Sequence, residues 1–150
     1  MELSEASNQI LTRLLEARTG QQLSVGRRWR IASVLNGLMR ERGIANLDTL
    51  IAMLAEPNGR ALADQIIDAL LNNETYFFRD KLPFDLISQQ ILPELAQRNA
   101  ASRRITIWSA GCSTGQEALS LAMLFADRPV QWKDWTIDIL ATDVSASVVR

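Results

Sequence analysis

Two halves of different grain predict an α/β chain of 150 residues. An all-α helical domain covers residues 1–72, and residues 73–150 open a parallel sheet with a strand–helix–strand unit. Three observations carry this. Apolar residues recur at helical spacing through the first half, between Gly, Asn and Pro breaks. Two short apolar runs, Ile105–Ser109 and Trp135–Thr142, bracket the helical pattern Glu117–Ala126. A glycine-bearing turn, Gly111 to Gly115, joins the first run to that helix.

The elements follow in order. Ser4 can cap a helix carrying Ala6, Ile10, Leu14 and Ala17, ending near Gly20. Ser24 can cap the next, with Val25, Trp29, Ala32 and Met39 on one stripe and Gly43 just beyond its end. Asn46 can cap a short helix with Leu47, Leu50, Ile51 and Leu54, closed by Pro57. A fourth runs from Gly59 to Leu71, with Leu62, Ile66 and Leu70 on one face. These faces can bury one another as a small bundle. Beyond it, Asp80 can cap a helix carrying Phe84, Ile87, Ile91 and Leu95, which Pro93 should kink. Residues 99–104 read as a connector into a short buried strand, Ile105–Ser109. Asp127-Arg128-Pro129 ends the following helix, and Ser145 is placed to cap a last one.

Composition removes whole classes of chemistry. The chain has no histidine and one cysteine, Cys112. His-dependent acid–base catalysis, Ser-His-Asp and Cys-His nucleophile systems, and His- or Cys-rich metal sites are excluded within it, so no metal is expected. Sixteen basic against 17 acidic residues leave no bulk attraction to nucleic acid or anionic membrane. No apolar run has the length of a membrane span, and the acidic start lacks a signal peptide's apolar core. A cytoplasmic location is the expectation.

In the turn, Gly111 and Gly115 permit positive φ and bring backbone N–H groups toward a ligand. Asp143, at the end of the second strand, can accept bonds from ribose hydroxyls. Neither G-x-G-x-x-G nor G-x-x-x-x-G-K-[ST] is present, which disfavours NAD binding and ATP hydrolysis. Tyr76, Phe77 and Phe78, taken alone, read as core. Arg27, Arg28, Arg30, Arg40 and Arg42 cluster on the second helix and its end. A solvated face is the plain reading of such a cluster.

Asn73-Glu74-Thr75-Tyr76-Phe77-Phe78-Arg79-Asp80, the turn Ser109 to Glu117 and the strand end Ala141-Thr142-Asp143 occur in an order that resembles the CheR family of chemotaxis-receptor glutamate methyltransferases. The resemblance implies a Rossmann-like domain dependent on S-adenosylmethionine, with S-adenosylhomocysteine as product. Asn73 and Thr75 would line the cofactor pocket, Arg79 would sit at the reaction centre against the cofactor, and Phe77 and Phe78 would shape and dry the pocket. Glu117 would contact the cofactor's methionyl portion. The family continues Pro-Tyr-Ser after this glutamate, where this chain has Ala118-Leu119-Ser120.

The implied chemistry suits a chain without histidine. A sulfonium methyl is already activated and a glutamate carboxylate is already nucleophilic, so positioning and exclusion of water suffice. The implied partners are chemoreceptor cytoplasmic helices bearing methylatable glutamates, met by Arg27, Arg30 and Arg40. The rival reading is a non-catalytic receptor- or signalling-protein-binding module with a vestigial cofactor site. Only two strands are visible, and Arg150 falls inside a predicted helix. The expectation is therefore the N-terminal portion of such an enzyme, with 73–150 the start of its methyltransferase domain, inactive alone and prone to dimerise or swap elements.

Overall fold

The computed structural model describes residues 4–22 and 28–149, with 28–30 as backbone only. The chain divides into two compact units, Met1–Asn72 and Asn73–Arg150.

In the first unit, α1 (Glu5–Thr19) starts at Ser4, whose hydroxyl accepts the Ser7 N–H, and stops at Gly20 with φ 71°. The sequence pattern placed its buried stripe one residue off. Leu11 and Leu15 are buried with Ser7 and Asn8, whereas Ile10 is 45% exposed and Ala6 and Ala17 face solvent. The polar residues change the balance. Ser7 donates a 2.5 Å hydrogen bond to Asp48, so a hydroxyl goes inside fully partnered and turns the Leu11–Leu15 face inward.

Helix α2 (Arg28–Glu41) ends in a Schellman motif: Ile44 N–H donates to Met39 O at 2.9 Å and Gly43 N–H to Arg40 O at 3.3 Å, with Gly43 at φ 65°. Its buried stripe is Ile31, Leu35 and Met39, at i, i+4 and i+8, with Ala32 half-buried at its edge. Ser24, Val25 and Arg27 lie outside the described residues, as does the Trp29 side chain.

Asn46 caps α3 (Leu47–Ala52), accepting the Thr49 N–H at 2.8 Å. A 3₁₀ turn, Met53–Ala55, leads to α4 (Gly59–Leu70), which buries Leu62, Ile66 and Leu70. One apolar cluster joins Leu11, Leu15, Ile31, Leu35, Leu50 and Ile66, each at most 2% exposed.

The second unit begins with residues 73–80, which form neither helix nor strand. Helix α5 (Lys81–Leu86) then passes through a π-helical turn, Ile87–Ile91, into α6 (Leu92–Arg98). Pro93 has no N–H for residue 89, and its ring crowds that carbonyl, so the helix widens just before it. The extra residue shifts the buried face: Phe84 is followed by Leu92, and Ile91 is 47% exposed against expectation. Asp80 is no cap. It adopts φ 56° and makes no capping hydrogen bond.

Strand β1 (Arg104–Ala110) pairs in parallel with β2 (Thr136–Thr142), in the register Ile105↔Ile137, Ile107↔Ile139. Between them run α7 (Gln116–Ala126) and a single turn, α8 (Pro129–Trp132). Burial along β1 alternates rather than being continuous: Ile105 and Ser109 are inside, while Trp108 is 68% exposed. A fully buried strand needs cover on both faces, and here one face carries the core. That core is Leu92, Ile105, Phe125 and Trp132, with Phe125–Trp132 and Trp132–Trp135 edge-to-face ring pairs at 5.1 and 5.3 Å. Residues 144–149 contain no helix; Ser145 instead joins a hydrogen-bonded turn at the end of β2.

Candidate functional site

The parallel register brings the carboxyl ends of β1 and β2 side by side, and the turn after β1 wraps the end of β2. Gly111 and Cys112 N–H groups both donate to Thr142 O, at 2.7 and 2.9 Å. The Gly111 amide is thus spent on closing the strand ends. Gly111 is needed for its φ of 84°, since a Cβ there would meet nothing within 4 Å. Gly115, at φ 96°, turns the chain into α7.

Asp143 organises the same corner. Its Oδ2 accepts the Ser113 N–H at 2.7 Å and its Oδ1 the Ser145 N–H at 2.8 Å. Each carboxylate oxygen keeps a further lone pair for a ligand hydroxyl. Asn73 is drawn in from the other side: Ser113 Oγ donates to its carbonyl at 2.7 Å, and its Nδ2 donates to Ser145 Oγ at 3.4 Å. Asn73 and Asp143 therefore meet around Ser113 and Ser145, next to the Gly111 turn that closes on Thr142 O.

A second group lies on the β1–α7 side. A cleft of about 460 Å³ is lined by Arg79, Phe84, Ile107, Trp108, Glu117 and Leu121, among others. That volume lies within the usual range for small-ligand sites. Glu117 stands in the first turn of α7, where a carboxylate is favoured, and its Oε1 accepts the Ser109 hydroxyl at 2.7 Å. Arg79 Nη1 donates to Glu74 O at 2.6 Å, and its guanidinium lies 5.8 Å from the Tyr76 ring centroid. The nearest carboxylate oxygen paired with Arg79, on Asp80, is 4.0 Å from Nε. One cleft thus presents a half-exposed cation, a carboxylate and apolar walls, a donor set that suits a ligand bearing an ammonium group and an apolar body.

Thr75 lies between the two groups along the chain and is half-buried. The aromatic residues do not form core: Tyr76 is 54%, Phe77 49% and Phe78 38% exposed. Phe78 packs edge-to-face on Phe84, ring centroids 5.3 Å apart, and so props the cleft wall. Phe78 and Asp80 adopt φ of 53° and 56° on either side of Arg79. Such left-handed backbone costs a non-glycine residue about 1–2 kcal/mol. Strain of this kind persists where the surroundings over-determine it.

Of the three arginines expected to dock a partner, Arg40 is exposed in the last turn of α2. Arg27 and the Arg30 side chain lie outside the described residues. Ser33, seven residues before Arg40 and so on the same side of α2, is exposed, opposite Ile31 and Leu35.

As site residues, Ser109, Ser113, Ser120 and Trp108 escaped the sequence reading, and Ser145 entered it only as a helix cap. Ser109, Ser113, Ser120 and Ser145 are all buried and all bonded to this site, and Trp108 donates to Thr142 Oγ1 at 2.9 Å beside the cleft. The available signal was Ser120, a polar residue on the apolar face of α7 beside Leu121 and Leu124.

A parallel strand–helix–strand unit with its polar groups gathered at the strands' carboxyl ends belongs to the open α/β domains that bind ligands there. Residues 73–150 match the family model described as CheR methyltransferase, SAM binding domain. The chain is 35% identical to Chemotaxis protein methyltransferase 1 of Pseudomonas aeruginosa over 99% of its own length and 55% of that protein's. It is 34% identical to the chemotaxis protein methyltransferase of Borreliella burgdorferi, covering 93% and 50%. With that of Vibrio parahaemolyticus the identity is 33%, over 99% and 54%. This chain belongs to the CheR methyltransferase family. It spans about half the length of the curated relatives it matches.

Proposed function

We propose that this chain supplies the cofactor-binding and carboxylate-orienting part of a protein-glutamate O-methyltransferase acting on chemoreceptors. The observation that carries the reading is the cleft shared by Arg79 and Glu117. S-adenosylmethionine, when bound, supplies a methyl group already activated on a sulfonium sulfur.

The residues divide the remaining work. Glu117 holds the cofactor's ammonium end, Asp143 accepts from ribose hydroxyls, and Asn73, Thr75 and Gly111 line the approach. Arg79 orients the acceptor glutamate through its N–H donors. Its hold must be modest, because a tightly paired carboxylate is a poor nucleophile. Ile107, Phe84 and Leu121 keep the cleft dry, which favours a step that consumes opposite charges. No general base is required, consistent with the absence of histidine. Arg27, Arg30 and Arg40 dock the acidic helical substrate in the cytoplasm.

The test is methyl transfer to a receptor cytoplasmic fragment by a protein of the relatives' length. Arg79→Ala is expected to lose about 100-fold or more in kcat while retaining its fold. Wild-type turnover in that variant would refute the assignment.

A further inference from the structure

Residues 73–80 carry Arg79 without helix or strand to hold them, yet both ends of the segment are fastened by buried serines. At the start, Ser113 Oγ donates to Asn73 O at 2.7 Å. Near the end, Phe78 N–H donates to Ser120 Oγ at 2.9 Å, and Ser120 Oγ donates in turn to Gln116 O at 2.6 Å. Ser113 is 7% exposed and Ser120 0%.

We propose that Ser113 and Ser120 are positioning residues that fix the segment, and through it Arg79, before any substrate arrives. What Arg79 does rests on the function proposed above; the fastening itself does not.

The Ser120 hydroxyl is committed in a way only a hydroxyl can satisfy. Its proton goes to a helix carbonyl, which turns a lone pair toward the Phe78 amide. That amide belongs to a residue at φ 53°, one position before Arg79 and two before Asp80 at φ 56°. A phenylalanine freed of the bond has every reason to return to negative φ, and the Arg79 Cα would swing with it. The arginine cannot hold the geometry alone. Its hydrogen bond to Glu74 O and its approach to Tyr76 both lie within the same loop, so they would move together. Helix α7 therefore serves the site twice, through Glu117 in its first turn and Ser120 one turn later.

Two measurements decide the matter. In this chain, hydrogen exchange of the Phe78 amide should quicken about 10-fold or more in Ser120→Ala, while the β1 amides exchange as before. In methyl transfer by a protein of the relatives' length, Ser120→Ala should lower kcat about 10-fold or more, with S-adenosylhomocysteine affinity held within about threefold. Ser120→Thr, which keeps the hydroxyl, should recover most of the rate. In an Arg79→Ala background Ser120→Ala should cost nothing further, because both changes act through one group. Unaltered Phe78 exchange, or full additivity with Arg79→Ala, would overturn the proposal. Should Ser120→Ala fail to fold, Ser120→Cys, whose thiol donates and accepts only weakly, takes its place in both measurements. A wild-type protein that transfers no methyl group would sink the function reading instead, and the exchange measurement would still decide the fastening.

Discussion

Arg79 stands between two residues in left-handed backbone, and its guanidinium reaches a cleft it shares with Glu117. Its type and neighbours were legible in the sequence, since Asn73 to Asp80 is a distinctive string. Its conformation was not. Nothing in Phe78 or Asp80 announces positive φ, and the partner of the Phe78 amide is a serine 42 positions away. Asp143 shows the same limit. Its place at a strand end was readable, but its clasp of the Ser113 and Ser145 amides depends on a turn folding back over β2. Asp143→Ala should therefore do more than remove a ligand contact. It should destabilise the second unit by about 1–3 kcal/mol, the cost of losing charge-assisted bonds to two backbone donors, read as a lowered denaturation midpoint. Asp143→Asn, which keeps one acceptor, should lose less. Equal stability of the alanine variant and wild type would show that the clasp contributes nothing.

At the scale of elements, four helix ends were legible because they are local, while Asp80 and Ser145 cap nothing. Ser4, Asn46, Gly20 and Gly43 each end a helix through groups within five residues. Burial stripes were less legible. The α1 face turns on Ser7 meeting Asp48, a contact across 41 positions, and the α6 face turns on a π-helical turn that Pro93 forces. Two glycines give this level a direct test. A Cβ at Gly59 would lie 2.1 Å from Leu54 O, so Gly59→Ala must push the 3₁₀ turn away from α4. The expected loss is about 1–3 kcal/mol in thermal or denaturant unfolding. Gly37 lies inside α2 with nothing within 4 Å of an added Cβ. Gly37→Ala should stabilise by about 0.4–1 kcal/mol, since alanine favours helix and restricts the unfolded chain. A reversed order of the two variants would contradict the packing described.

At the scale of the molecule, the chain covers about half the length of its relatives, and its sheet has two strands among the described residues. Trp108 and Leu140 stand 68% and 57% exposed on that sheet. A two-stranded parallel sheet with bare apolar side chains and unpaired edges is an invitation to association. At micromolar concentration the 150-residue chain should sediment as dimers or larger species, and a chain of the relatives' length should shift toward monomer. A monomeric short chain that unfolds cooperatively would count against this. The surface ion pairs offer little compensation. Arg104–Asp138 at 2.6 Å is 63% and 43% exposed, a class of interaction worth about 0–1 kcal/mol.

The cleft beside Arg79 and Glu117 is the proposed place for the cofactor on residues 73–150. Calorimetric titration of S-adenosylhomocysteine tests it most directly, using this chain and one of the relatives' length, each with Glu117→Ala beside wild type. Saturable one-site binding that weakens about 10-fold or more in Glu117→Ala is the predicted result, the loss of one charge-assisted contact to the ammonium group. Binding that ignores the substitution, or no binding by either wild-type chain, would contradict it.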